Sequence, residues 1–130
     1  MRIADPGRTV IVVSGNRPES ALEKQMASRD IDLRWAATIK AASVLLSSVH
    51  DTTVVITELA LKDGNWRDLL ETVQRIDTPI PVLLLSPTST AELWWDALDC
   101  GIEDILRAPL STDLLCEYLE KRFRHRSDRM

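Results

Sequence analysis

Two kinds of apolar pattern alternate along the chain. Short runs of aliphatic residues recur at Val10-Ile11-Val12-Val13, Val54-Val55-Ile56 and Val82-Leu83-Leu84-Leu85. Near-continuous runs of this length predict strands buried on both faces, the situation of a parallel sheet. Between them the spacing becomes helical. Ile39, Ala42, Leu45, Leu46 and Val49 form one stripe, and Trp66, Leu69, Leu70, Val73 and Ile76 a second. Leu114, Leu115, Tyr118, Leu119 and Phe123 form a third, and Leu22 with Met26 marks a shorter one. Ile31, Leu33 and Trp35 alternate with Asp32 and Arg34, which predicts a further strand through about Ala36. Asp104 to Arg107 completes the set as a short fifth strand.

The punctuation agrees with this division. Pro18 suits the first turn of a helix running to about Ser28. Thr38 is placed to cap the helix that follows the second strand, and Thr88, Ser89 or Thr90 to cap the helix ending near Asp99. Gly101 stands where a helix C-terminus favours glycine. Lys62 to Asn65 form a turn, Thr78-Pro79-Ile80-Pro81 a break, and Ser111 or Thr112 a cap for the last helix. By register with Ala91 and Leu98, Trp94 and Trp95 both border the apolar stripe; Trp95 is expected in the core and Trp94 at least partly exposed.

The alternation β-α, five times over, predicts an α/β fold with a parallel sheet and helices on both faces, doubly wound by right-handed crossovers. Residues 1–8 read as a lead-in, 9–124 as one domain and 125–130 as a tail. The central strand, Val54 to Leu59, carries a carboxylate at its end. In an open α/β sheet, chemistry gathers at the carboxyl ends of the strands, so Glu58 is the first candidate site residue.

Composition narrows the classes. The 130 residues are 45% hydrophobic and 28% charged, the balance of a folded domain. A net charge of −4 gives no reason to expect a nucleic-acid ligand. The cations Lys121, Arg122, Arg124, Arg126 and Arg129 read as a solvated helix end. No run approaches transmembrane length and no signal-peptide pattern precedes the first strand, so no membrane partner and a cytoplasmic location are expected. Cys100 and Cys116 are isolated and read as buried thiols. His50 and His125 have no partner for a zinc site, and no metal centre is expected from them.

Five segments, in order, resemble the receiver domain of bacterial two-component response regulators. Val10 to Val13 is similar to the first receiver strand. Val54 to Leu59 with Ala60-Leu61-Lys62-Asp63-Gly64 resembles the phosphoacceptor strand and its loop. Pro81 to Leu85 with Ser86 resembles the strand ending in a Ser/Thr. Ala97-Leu98-Asp99-Cys100-Gly101-Ile102-Glu103-Asp104-Ile105-Leu106 is similar to the family's Ala-Leu-x-x-Gly-Ala-x-Asp-Tyr-Leu segment, and Arg107-Ala108-Pro109-Leu110 to its x-Lys-Pro-Phe loop. The resemblance spans nearly the whole chain. It implies a flavodoxin-like, CheY-like sheet of order 2-1-3-4-5, a cis peptide before Pro109 and a role in phosphorelay signalling.

Receiver chemistry is phosphoryl transfer by positioning and electrostatics around Mg²⁺. It asks for an acidic pair after the first strand, a nucleophilic aspartate after the third, a Ser/Thr after the fourth and a lysine after the fifth. This chain departs at four of the five positions. Ser14 and Gly15 replace the acidic pair, with Asn16 next to them. Glu58 replaces the aspartate, and Ala108 replaces the lysine before Pro109, with Arg107 one place earlier. Ser86 alone matches, and Ile105 stands at the position of the switch aromatic.

One firm carboxylate is a poor Mg²⁺ site, so no cofactor is expected and Mg²⁺ binding should be weak. The extra methylene of Glu58 moves its carboxylate about 1.5 Å outward, enough to spoil in-line attack. Three readings of Glu58 stand open: an inert strand end, a built-in mimic of the phosphorylated state that hydrogen-bonds Ser86, and a phosphoacceptor. Ser86 is divided between a turn-capping role and a role at the site, and Asn16 between a turn former and a site-lining group. The family's usual partner and dimer surface is the face of the fourth helix, fifth strand and last helix. Trp94 and Arg107 fall on it.

The expected function is therefore that of an atypical, phosphorylation-independent pseudo-receiver. It acts by contact with a signalling protein, a histidine kinase or an effector, with a homodimer through the same face as an option, and it is not an enzyme. The alternative is a phosphorylatable receiver taking its phosphoryl group from a histidine kinase with weak Mg²⁺ dependence. A flavodoxin-like small-molecule binder is a third class. Ser14-Gly15-Asn16-Arg17-Pro18 is a meagre phosphate cradle for it.

Overall fold

The computed structural model describes residues 8–48, 52–76, 78–88 and 90–127, with side chains described as far as Arg122. Val49, His50 and Ser89, and the side chains of Phe123 to Arg129, lie outside that set. The elements run in the order β1 (Arg8–Val13), α1 (Ser20–Ser28), β2 (Ile31–Ala36), α2 (Ile39–Ser47), β3 (Thr52–Glu58), β4 (Ala60–Leu61), β5 (Gly64–Asn65), α3 (Trp66–Gln74), β6 (Val82–Ser86), α4 (Ala91–Cys100), β7 (Asp104–Arg107) and α5 (Thr112–Ser127). Five strands form one parallel sheet in the order β2-β1-β3-β6-β7. This is the doubly wound order expected of the alternation. The pair β4-β5 is a separate antiparallel hairpin that the pattern did not announce.

Alternation along each central strand divides the core in two. Ile11, Val13, Val55 and Leu84 face α2, α3 and α4, packing with Ala42, Leu46, Trp66, Leu69, Val73 and Ala97. Val10, Val12, Val54, Ile56 and Leu83 face α1 and α5, packing with Leu22, Met26, Leu115 and Leu119. Withdrawing one such side chain from water stabilises the fold by about 1.5–3 kcal/mol, so β1, β3 and β6 are fixed in register by both faces at once.

The helix starts follow their caps. Thr38 Oγ1 accepts from the Ala41 amide, and Thr90 Oγ1 from that of Leu93. Ser111, rather than Thr112, begins α5, accepting from the Leu114 amide at 3.3 Å. Asn65 and Asp68 form a reciprocal capping box on α3. Gly101 ends α4 with φ of 113°. The first helix differs from expectation. It starts at Ser20, with Glu19 at its N-cap and Pro18 outside it. The Asn16 amide is already engaged by Ser14 Oγ, and this lengthens the loop. Arg8 belongs to β1, opposite Ile31 and Thr52, so the lead-in is one residue shorter than read. The peptide between Ala108 and Pro109 is cis. Both cysteines are free, Cys116 buried and Cys100 half-buried.

Of the two tryptophans of α4, Trp94 is partly exposed as expected and Trp95 requires a correction. Trp95 is the more exposed, at 73%, against 42% for Trp94. The inward stripe is Leu93, Ala97 and Cys100, not Ala91, Trp95 and Leu98. Asp96 pairs with Arg67, so this side of α4 faces α3. At about 100° per residue, Ala97 then points inward, Trp95 points away from the sheet, and Trp94 lies on the flank away from α3. Trp35, expected inside on the alternation of β2, is 40% exposed at the end of this edge strand.

Gly64 is where the hairpin crowds its neighbours. Its φ is 156°, and a Cβ there would meet Asp68 Oδ2 at 2.6 Å and Ile39 Cδ1 at 2.7 Å. Gly64→Ala should destabilise the protein by about 1–3 kcal/mol, read as a lower urea midpoint at unchanged slope. A midpoint within error of wild type would show that the hairpin tolerates the side chain.

Candidate functional site

The carboxyl ends of β1, β3, β6 and β7 lie side by side, as the parallel register demands. Val13 stands opposite Thr57, Glu58 opposite Leu85, and Ser86 opposite Arg107. The topology therefore gathers Ser14, Gly15, Asn16, Glu58, Ser86 and the Arg107-Ala108-Pro109 loop at one end of the sheet. This is the end at which α/β sheets carry their chemistry.

Glu58 is half-buried, and its carboxylate is engaged. Oε1 accepts a hydrogen bond from the Gly15 amide at 3.1 Å. This charge-assisted bond ties the loop after β1 to the end of β3. Ser14 is buried and held from three sides. Its amide donates to Ala36 O at 3.0 Å, its carbonyl accepts from Trp35 Nε1 at 2.9 Å, and its hydroxyl accepts from the Asn16 amide at 3.0 Å. Asn16 itself is exposed, and its backbone closes the turn. Gly15 has open space where a side chain would project. The acidic group missing there is absent by sequence and not by lack of room.

Ser86 is 1% exposed, and its hydroxyl serves the loop beyond it. Oγ donates to Thr88 O at 2.6 Å and accepts from the Thr88 amide at 3.2 Å. Its carbonyl accepts from the Ala108 amide at 2.8 Å, linking the loops after β6 and β7. The Glu58–Ser86 hydrogen bond that a phosphorylation mimic would make is not among the bonds of the described residues. Of the two roles open to Ser86, the turn is the one formed. Ala108 is half-buried and brings no charge, while Arg107 is exposed on the strand before it. Ile105 is half-buried and packs against the core on the side of α4.

Mg²⁺ is poorly matched by this donor set. A hard divalent cation wants several oxygen ligands, carboxylates first. Here one carboxylate is present and already accepts from an amide. Among the described residues no three His, Cys, Asp or Glu side chains gather in one place.

Two contributors escaped the sequence. Trp35 reads as one more apolar residue of an alternating strand, yet its indole N–H positions the loop that carries Ser14. Asp63 reads as a turn residue, yet it caps α2 from the hairpin. Its carboxylate accepts from the Ile39 amide at 2.8 Å and from the Lys40 amide at 3.1 Å. The signal for the second was present in principle: a carboxylate in a tight turn is a common acceptor for free amides at a helix start.

No family model and no curated protein matches the sequence. The fold, in contrast, is that of CheY-like receiver domains. The Francisella response regulator 1452 receiver domain superposes with a TM-score of 0.78 at 20% identity, over 92% of this chain and 98% of that one. A CheY-like response regulator receiver domain protein from Methanospirillum hungatei gives 0.78 at 12% identity, over 95% and 99%. The chemotaxis response regulator CheY4 of Vibrio cholerae gives 0.73 at 16% identity, over 88% and 98%. At such identities what is shared is the architecture. No helix among the described residues is long and apolar enough to cross a membrane.

The Asp63 cap carries a pH signature. The Ile39 amide above all, with that of Lys40, holds its carboxyl below the ordinary value of 3.8. A lowered native value means that the cap stabilises the fold above the unfolded value and is lost as pH falls through the native one. The melting temperature of wild type should thus exceed that of Asp63→Asn at neutral pH. The difference should shrink once pH drops below about 4. A constant difference down to strong acid would show that the carboxylate is not what the cap depends on.

Proposed function

We propose that this chain is an atypical receiver module of two-component signalling, phosphorylation-independent and non-catalytic, that works by protein contact in the cytoplasm. The observation that carries this reading is the state of Glu58. The carboxylate at the end of β3 accepts from the Gly15 amide, Ser14 and Gly15 stand in place of an acidic pair, and Ala108 brings no cation. In-line phosphoryl transfer needs a free nucleophile, a neutralising cation and charge clamps. With a buried Ser86 committed to Thr88 and an aliphatic Ile105 in place of an aromatic, the coupled rearrangement of a phosphorylation switch also lacks its parts. A fixed receiver scaffold offering one surface is the use these residues support. Its expected partners are a histidine kinase, an effector or a second copy, met through α4, β7 and α5.

The test is incubation with acetyl phosphate and MgCl₂, followed by intact mass, with Glu58→Gln alongside. Wild type should take up no phosphoryl group. An adduct on wild type that vanishes in Glu58→Gln would make this a working phosphoacceptor and end the proposal. Isothermal titration with MgCl₂ supplies a second readout. The wild type should give no saturable heat, whereas the combined Ser14→Asp, Gly15→Asp, Glu58→Asp and Ala108→Lys changes should create a measurable site, since position 15 has room for the side chain. Saturable Mg²⁺ binding by wild type would contradict the proposal.

A further inference from the structure

A cavity of about 290 Å³ opens at the pole of the sheet opposite Glu58, below the first residues of β6 and β7. Its body is aliphatic, built from Leu70 and Val73 of α3 with Ile76, Pro79, Ile80 and Pro81. Among the described residues no aromatic ring lines it, so it has no stacking surface for a nucleobase or a flavin. Its size stands at the foot of the range of small-molecule pockets and calls for a compact ligand. The walls are held in advance. Pro79 and Pro81 fix the backbone on either side of Ile80. The Pro81 carbonyl accepts from the Val55 amide at 3.0 Å, and the Val82 carbonyl from the Glu103 amide at 2.9 Å.

Gln74, Glu103 and Arg122 bring the polar chemistry. Arg122 comes from α5, on the other face of the sheet from α3. Its Nη1 donates to Glu103 Oε1 at 2.7 Å, and its Nε has no acceptor among the described residues. The guanidinium therefore has donors to spare. Gln74 Nε2 donates to Cys100 O at 3.1 Å, which leaves Oε1 without a partner among the described residues. Gly101 preserves that arrangement, since a Cβ there would meet Gln74 Nε2 at 2.7 Å. The wall thus offers both a donor and an acceptor.

Charge at this pole balances. Among the described residues Glu103 and Arg122 are the charged side chains of the wall, one of each sign. The adjoining groove adds Asp104 and Lys121, again one of each. Arg75, just beyond α3, pairs with Glu71 at 3.0 Å. The C-termini of α3 and α4 both lie here, and helix C-termini disfavour an anion. An ammonium group would face Arg122. A neutral ligand that both accepts and donates fits all of these groups.

We propose that this cavity binds a small, neutral, branched aliphatic carboxamide. Its alkyl body lies against Leu70, Val73, Ile76 and Ile80. Its carbonyl oxygen accepts from the Arg122 guanidinium, and its N–H donates to Gln74 Oε1. The site is separate from the sheet end that holds Glu58, and the inference does not depend on whether Glu58 takes a phosphoryl group.

The experiment titrates the isotope-labelled full chain with isovaleramide, isovalerate and isoamylamine, compounds of matched carbon skeleton with neutral, anionic and cationic head groups. Backbone amide NMR locates the binding. Isovaleramide should give saturable shifts at Val73, Gly101 and Glu103, none at Gly15 or Thr88, and should bind more tightly than the two charged compounds. Arg122→Met keeps the aliphatic stem and should weaken binding about tenfold. Should that variant lose its fold with the Glu103 bridge, Arg122→Lys keeps a cation for Glu103 without the planar fork and should weaken binding likewise. Ile80→Trp fills the cavity and should abolish the shifts. Arg107→Met, which removes a cation outside the cavity, should leave binding within about twofold.

Absence of saturable shifts around the cavity would overturn the inference. So would binding that survives Ile80→Trp, that ignores the Arg122 variants, or that Arg122→Met and Arg107→Met weaken alike. Tighter binding of isovalerate or isoamylamine than of isovaleramide would reject the neutral ligand.

Discussion

The burial of β3 on both faces governs this molecule. Residues Thr53 to Thr57 are shielded above by one core and below by the other. A strand in that position can carry nothing polar along its length without a partner, because an unpaired buried polar group costs more than it returns. Its only chemical outlet is its end. There Glu58 meets the loops that follow β1, β6 and β7, and the parallel register fixes which residues meet it. The site is thus a consequence of sheet packing, and the identities of a few loop residues decide what it does.

Those identities favour a static arrangement. The Glu58 carboxylate closes on the Gly15 amide, and the Trp35 indole fastens the Ser14 carbonyl from the edge strand. Ser86 bonds to the turn it precedes, and its carbonyl anchors Ala108. The β4-β5 hairpin, pinned to α2 by Asp63, holds the loop that leaves Glu58. The Ser86 hydroxyl bonds close a single turn, whereas the others join separate segments of the chain.

The surface tells a complementary story. Ala97 packs into the core and Asp96 pairs with Arg67 of α3, and both tryptophans of α4 stay outside. Leaving aromatic area in water is costly to a lone domain and useful to one that meets a partner.

The sequence by itself determined the architecture and most helix boundaries. Strands buried on both faces are mostly apolar, so β1, β3 and β6 were visible as runs. Caps act over three or four residues, so Thr38, Thr90, Ser111 and Gly101 were visible as local chemistry. The position of Glu58 at a strand end, and the substitutions around it, were legible because they are matters of residue identity. Only the tertiary structure decided where side chains from separate elements meet. The helical phase of α4, invisible in the pattern because Leu93, Ala97 and Cys100 are as apolar as the alternative stripe, put Trp95 outside as well as Trp94. The bonds from Glu58 to Gly15, from Trp35 to Ser14 and from Asp63 to α2 span 43, 21 and 24 residues or fewer. Such contacts depend on how strands and loops are brought together in space, and no local preference along the chain encodes them.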